Sequence, residues 1–255
     1  MNRYRWLLAG SAFAAMIGLA ALETSAFAQA GKGATLKGKV VYDGAPPAKA
    51  DLKAKFADHK DAGHCAKGDT EDLSWVVDPA SKGVANTVVF LKFASTPKFD
   101  AKALGIPAEV VIDQPHCNFL PHVSVVCPSV QKLTVKNSAP ILHNTRLEGS
   151  RIRNPGKNET LQPGKSIAFA VKPDNQAIKV NCDAHKWMEA FVWAFDHPFA
   201  AVTKEDGTFE IKGAPAGKVK VVVWHEPDIW PLGKDGKDFD LKDGDNSLPE
   251  VKLKK

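Results

Sequence analysis

Three side chains with metal-binding chemistry fall within seven residues of the stretch Val180-Asn181-Cys182-Asp183-Ala184-His185-Lys186-Trp187-Met188. Cys182 offers a thiolate, His185 an imidazole and Met188 a thioether. Soft sulfur beside imidazole suits copper. One Cys, two His and a weak axial Met form a set that passes single electrons. The loop supplies three of those four donors, so a second His must come from elsewhere. His143 is the strongest candidate, because it follows the strand-like Lys132-Leu133-Thr134-Val135 and a turn at Asn137-Ser138-Ala139-Pro140. Asn144, next to it, can brace the two loops by a hydrogen bond that orients a ligand. Any one of these residues alone is more often structural than ligating; the four in this order point to metal. Cys182 with His185 also reads as a thiol nucleophile with its base. No orienting third group or oxyanion motif accompanies that pair.

Cys182 and His143 stand 39 positions apart, so a fold must bring two strand ends to one pole. The pattern supplies strands. Short apolar or alternating runs recur with Gly, Pro, Asn or Asp between them: Thr35 to Tyr42, Asn86 to Phe93, Glu109 to Ile112, His122 to Val126 and Lys132 to Val135. They continue at Ser166 to Val171, Ala177 to Val180, Ala190 to Phe195, Thr208 to Ile211 and Lys218 to Trp224, with a last strand near Leu248 to Leu253. Such spacing predicts an all-β chain of sandwiches or barrels. Helical periodicity is sparse, with one short helix expected over Lys53 to His59. The polar stretch Pro46 to Asp72 reads as a surface excursion, with His59 and His64 solvated.

On these residues a resemblance can be stated. Asn137 to Asn144 followed by Cys182-x-x-His185-x-x-Met188 resembles the cupredoxin family, in its compact amicyanin-like form, over about 90 residues. The resemblance implies a Greek-key sandwich holding one mononuclear type 1 copper ion. It implies His143, Cys182 and His185 as the copper plane and Met188 as the axial ligand. It further implies His185 as the solvent-edge electron port, with Trp187 on an apolar docking surface for redox partner proteins. Lys186 departs from the family, where a Pro is common.

A second pattern flanks the first. Asp206-Gly207 between two strand-like runs is a hairpin signal, and Pro215-Ala216-Gly217 turns the chain into Lys218 to Trp224. With the opening run Leu36 to Pro47, this resembles the carboxypeptidase regulatory-like (transthyretin-like) β-sandwich, which is not catalytic in its relatives. The expected organisation is a leader at 1–30, a first part of that sandwich at 34–95, a copper module at 108–197, and the remainder with a tail at 201–255. The copper module is then inserted in, or packed on, the other sandwich. The layout also resembles exported proteins of methylamine utilisation.

Residues 1–30 carry Arg3 and Arg5, a mostly apolar run from Trp6 to Leu22, and small-x-small sites at Ala26-Phe27-Ala28 and Ala28-Gln29-Ala30. That is the pattern of a secretory signal peptide, with a retained anchor as the alternative. No later stretch is apolar enough to span a membrane. The whole chain has a net charge of +5, and losing Arg3, Arg5 and Glu23 leaves +4. Its lysines are dispersed, which gives no nucleic-acid footprint. Export to the periplasm or cell surface implies an oxidising compartment. With Cys182 on a metal, Cys65, Cys117 and Cys127 leave one pair and an odd thiol. Cys65–Cys117 is the favoured pair, with Cys127 buried in an apolar run. His116 and His122, near Cys117, read either as a second metal site or as hydrogen-bonded structural residues. His197 is expected to cap a strand end, and His225 to pair with Glu226. The function these features predict is electron transfer without substrate turnover. Copper delivery, or a non-catalytic scaffold with a vestigial site, are the alternatives.

Overall fold

The computed structural model describes residues 33–255, so the expected leader at 1–30 lies outside the described residues. Sixteen strands form among them: β1 (Ala34–Tyr42), β2 (Val88–Lys92), β3 (Glu109–Asp113), β4 (Val123–Val126), β5 (Lys132–Lys136), β6 (His143–Glu148), β7 (Lys157–Leu161) and β8 (Ser166–Phe169). They continue with β9 (Ile178–Asn181), β10 (Glu189–Ala194), β11 (Ala200–Val202), β12 (Thr208–Ala214), β13 (Gly217–Trp224), β14 (Lys237–Leu241), β15 (Gly244–Ser247) and β16 (Val251–Leu253). Helix is confined to single turns, α1 (Lys53–Phe56), α2 (Ala62–Cys65) and a 3-10 turn at Leu73–Trp75. Among the described residues, no helix is long and apolar enough to cross a membrane.

The strands make four sheets, ordered β3-β5-β8, β4-β10-β9-β6-β7, β11-β2-β13-β14 and β12-β1-β15, with β16 also pairing β1. Three apolar cores lie between them in succession. The first joins Ile112, Leu133, Val135 and Phe169 to Val126, Leu147, Ile178, Val180, Ala190 and Val192. The second joins Leu36, Val40, Phe209 and Ile211 to Val89, Leu91, Val221, Val223 and Leu241. The third lies between the two inner sheets, with Val88, Phe90, Val222 and Trp224 against Val123, Phe191 and Trp193.

The sequence of the inner strands explains this stacking. Successive side chains of a strand point to opposite faces. In β10, Ala190, Val192 and Ala194 enter the first core while Phe191 and Trp193 enter the third. In β13, Val221 and Val223 face the second core while Val222 and Trp224 face the third. A strand covered on both faces is apolar throughout, which is why these runs do not alternate.

Strand pairing also unites distant parts of the chain. β1 is antiparallel to β12, with Leu36 opposite Ile211 and Lys39 opposite Thr208. β2 is antiparallel to both β11 and β13. Residues 34–42 and 88–92 therefore share sheets with residues 200–224. The Asp206-Gly207 turn closes against this seam. Gly207 has φ +77°, and a Cβ there would meet the Val40 carbonyl oxygen at 2.2 Å.

The stretch 46–72 differs from its expected role. Leu52, Phe56 and Cys65 enter the first core, and they pin an otherwise charged segment over one pole of the sandwich. His59 is half-buried there, and Nε2 of His64 is buried. The segment is a cover, because its three apolar anchors outweigh its polar average.

Candidate metal centre

β6 and β9 are antiparallel neighbours, with Arg146 opposite Asn181 and Leu147 opposite Val180. That register sets the start of β6 against the end of β9, so His143 and Cys182 emerge at the same pole. The chain then turns tightly, with the Met188 amide donating to the His185 carbonyl at 2.8 Å. It returns as β10, paired to β9 with Glu189 opposite Asn181.

The Cys182 sulfur lies 3.6 Å from Nδ1 of His185 and 4.0 Å from Nδ1 of His143. The three donors all lie within 4.8 Å of one another. A thiolate and an imidazole bound at about 2.0–2.3 Å and splayed about 120° apart stand roughly 3.8 Å from each other, so the spacing fits one ion in trigonal His2Cys geometry. Among the described residues, the His143 imidazole makes no conventional hydrogen bond. Its Nδ1 faces the sulfur and its Nε2 is buried without a partner. Nδ1, aimed at the sulfur with no conventional partner, is the nitrogen open to a metal ion. Met188 is fully buried, in the same apolar cluster as Cys182.

Burial sets the electrostatics. It pulls His143 down to about 4, with the nearby His185 adding to the effect. Burial likewise lowers His185, opposed by Asp61. Both imidazoles are thus neutral and ligand-ready at neutral pH. Burial pushes the Cys182 thiol up, opposed by the backbone N–H groups of Asn144, His185 and Ala184. A metal must displace that proton to bind.

Asn144 organises the loop. Its Oδ1 accepts from the amides of Asp183 at 2.9 Å and Ala184 at 3.3 Å and from the Cys182 thiol at 3.2 Å. Its Nδ2 donates to Asn158 Oδ1 at 2.8 Å. Asp183 is held in turn by Asn158, whose Nδ2 donates at 2.6 Å.

His185 does not sit at a solvent edge. It is 0 % exposed, because the cover lies on it. Nε2 meets Asp61 Oδ2 at 3.1 Å, and the His59 ring packs at 4.9 Å. Trp187, expected on a docking surface, is half-buried against Phe56, His59 and His185. Cys65 and Cys117 form a disulfide, and their sulfurs lie within 4.8 Å of a His185 nitrogen. Cys127 is free and buried. Sequence reading missed Asp61 and His59. Their signal was the apolar set Leu52, Phe56 and Cys65, which a fully solvated segment has no use for.

Of the other histidines, His59 joins Asp61 and His185 in a further group of three clustered donors. Among the described residues, no group of three clustered donors includes His116 or His122. His116 packs beside His64, with ring centroids 5.4 Å apart. His122 bonds through Nε2 to Glu226, so the expected His225–Glu226 pair does not form. His225 instead meets Thr87 Oγ1 through Nδ1 at 3.1 Å. His197 Nδ1 accepts from the Phe199 amide at 3.1 Å.

The fold and site define an all-β chain carrying a buried His2Cys cluster at one pole of a sandwich. No protein-family model matches it, and no curated protein matches it. Among solved structures it is similar to a purple cupredoxin from Nitrosopumilus maritimus, at 15% identity over 33% of this chain and 97% of that one, with a TM-score of 0.28. It is also similar to an oxidized proline-to-glycine mutant of amicyanin, at 16% identity over 41% of this chain and 97% of that one, with a TM-score of 0.28. A reduced proline-to-phenylalanine mutant of amicyanin matches at 14% identity over 41% of this chain and 98% of that one, with a TM-score of 0.29.

Proposed function

We propose that this protein is an exported mononuclear copper protein that transfers single electrons between redox partner proteins. The observation that carries the reading is the buried cluster of His143, Cys182 and His185, with donor spacings of 3.6 and 4.0 Å about the sulfur. Bound copper supplies a one-electron Cu(II)/Cu(I) couple for which thiolate, imidazole and thioether donors are jointly suited. The chain does the rest. Cys182 gives up its proton and presents sulfur. His143 and His185 present neutral Nδ1 atoms. Met188, fully buried in the same apolar cluster as Cys182, would supply the thioether. Asn144 holds the Cys182–Ala184 backbone in place, and the first core excludes water from the pole. Little need move when the charge at the centre changes, which keeps the barrier to electron transfer low.

The outer pair of sheets serves, in this reading, as a non-catalytic scaffold of the carboxypeptidase regulatory-like kind. The test is the visible spectrum of the Cu(II)-loaded protein. An intense thiolate-to-copper band that bleaches with ascorbate and vanishes in Cys182→Ser supports electron transfer. Tight Cu(I) binding with no coloured Cu(II) form assigns copper delivery instead. No copper uptake leaves a structural scaffold.

A further inference from the structure

The carboxylate of Asp61 reaches the metal centre from outside the sheets. Its Oδ2 lies 3.1 Å from Nε2 of His185, while Nδ1 of the same ring lies 3.6 Å from the Cys182 sulfur. One nitrogen faces the donor cluster and the other faces a fixed anion. The His185 side chain is 0 % exposed and that of Asp61 is 18 % exposed, so water screens the contact poorly.

The chain holds Asp61 firmly in this place. Its carbonyl accepts from the amides of His64 at 2.9 Å and Cys65 at 3.0 Å. Its own amide donates to Nδ1 of His59 at 3.2 Å. Cys65, one helical turn on, is covalently tied to Cys117. Two nitrogens approach the same carboxylate oxygen, His59 Nδ1 at 3.7 Å and the cationic Lys60 Nζ at 3.8 Å. Lys60 is 83 % exposed, so its charge is largely hydrated.

Resting on the copper reading above, we propose that Asp61 is a positioning residue for the metal centre, which accepts the Nε2–H of His185 and biases the bound ion toward Cu(II). The chemistry is direct. A hydrogen bond from Nε2–H fixes the tautomer that leaves the Nδ1 lone pair for the metal, and a carboxylate partner raises the basicity of that nitrogen. A fixed negative charge behind the ligand favours the more positive oxidation state. The His185 edge is thereby closed, in contrast to the open port that the ligand loop alone suggests.

The test compares wild type with Asp61→Asn, which keeps size and an oxygen acceptor but removes the charge, and with Asp61→Ala, which removes both. In redox titrations of the copper-loaded proteins, Asp61→Asn keeps the thiolate band and shifts the Cu(II)-over-Cu(I) preference about tenfold toward Cu(I), a rise of about 59 mV. Asp61→Ala shifts it the same way and weakens Cu(II) binding roughly 10–100-fold. A metal-free readout accompanies this: the His185 Nε2–H resonance is slow to exchange in wild type and fast in Asp61→Ala. Potentials and proton exchange that match wild type in both variants overturn the proposal while the copper reading stands. A wild-type protein that takes up no copper overturns both together.

Discussion

The Cys182 thiol donates to the side-chain oxygen of Asn144 at 3.2 Å, tying the loop after β9 to the second residue of β6. The same oxygen accepts from the Asp183 and Ala184 amides. One carboxamide therefore fixes the backbone on the C-terminal side of the sulfur. Asn144→Ala removes all three bonds and leaves the apolar core untouched. Orienting partners of this kind are worth roughly 10–100-fold in metal affinity. A competition titration against a copper chelator should show that loss, with the far-ultraviolet circular dichroism unchanged.

The second prediction concerns acid. His225 is 0 % exposed, and burial pulls it down to about 4. Its unfolded value is about 6.5. A group whose folded pKa is depressed gives stability that is fully present above the unfolded pKa and is lost as pH falls toward the folded one. The gap is worth on the order of 3 kcal/mol at neutral pH. Urea unfolding of the metal-free protein at pH 7 and pH 4.5 should therefore show a steeper loss in wild type than in His225→Asn. Equal losses would mean that His225 is not held neutral in the folded chain.

Much of the plan is legible in the residues. The Ala190–Ala194 run of β10 and the Val221–Trp224 run of β13 are continuously apolar because both of their faces are covered, and three of the candidate donors lie on one short loop. Other parts are hidden for identifiable reasons. β7 reads Lys157-Asn158-Glu159-Thr160-Leu161, with four of five residues exposed. An edge strand with so little to bury carries no apolar signal, and its pairing with β6 comes from backbone bonds. The cover over His185 is masked in the same way, since charged residues surround Leu52, Phe56 and Cys65. The Asp61–His185 contact spans 124 positions, and no local pattern encodes it. Hence the motif marks the candidate donors, while the closure of the site is a tertiary property.

The disulfide gives the third prediction. Cys65 and Cys117 are separated by 52 positions. Constraining a loop of that length in the unfolded chain is worth about 4 kcal/mol in the chain-entropy model. The Cys65→Ser, Cys117→Ser double variant should unfold at correspondingly lower denaturant. It should also expose the cover to limited proteolysis first, because α2 loses its tether. Cleavage that begins elsewhere would show that Leu52 and Phe56 suffice to hold the segment.

Gly207 gives the fourth. Its φ of +77° is costly for other residues, and an added Cβ would lie 2.2 Å from the Val40 carbonyl oxygen. That carbonyl accepts from the Val84 amide at 3.0 Å, and the Gly207 carbonyl accepts from the Val40 amide at 2.9 Å. Gly207→Ala should destabilise the chain by at least about 1–3 kcal/mol from backbone strain alone. The midpoint of chemical unfolding reads this directly, and a neutral substitution would place the turn elsewhere.

The last prediction tests whether the two halves fold as one. Trp224, from β13, meets Trp193 edge-on at 5.6 Å and Phe191 at 5.5 Å, both from β10. These rings fill the third core, the apolar contact between the two inner sheets. Trp224 is 1 % exposed, so truncation leaves a cavity costing about 3–5 kcal/mol. The effect should fall on the coupling between the halves as well as on total stability, because Trp224 serves the shared core and not the first or second. Wild type should give one cooperative calorimetric transition. Trp224→Ala should lower it and resolve two, the half that carries His143, Cys182 and His185 moving with added copper and the other half unmoved. A single transition in the variant, shifted as a whole by copper, would show that the remaining third-core side chains, Val88, Phe90 and Val222 against Val123, Phe191 and Trp193, are enough to couple them.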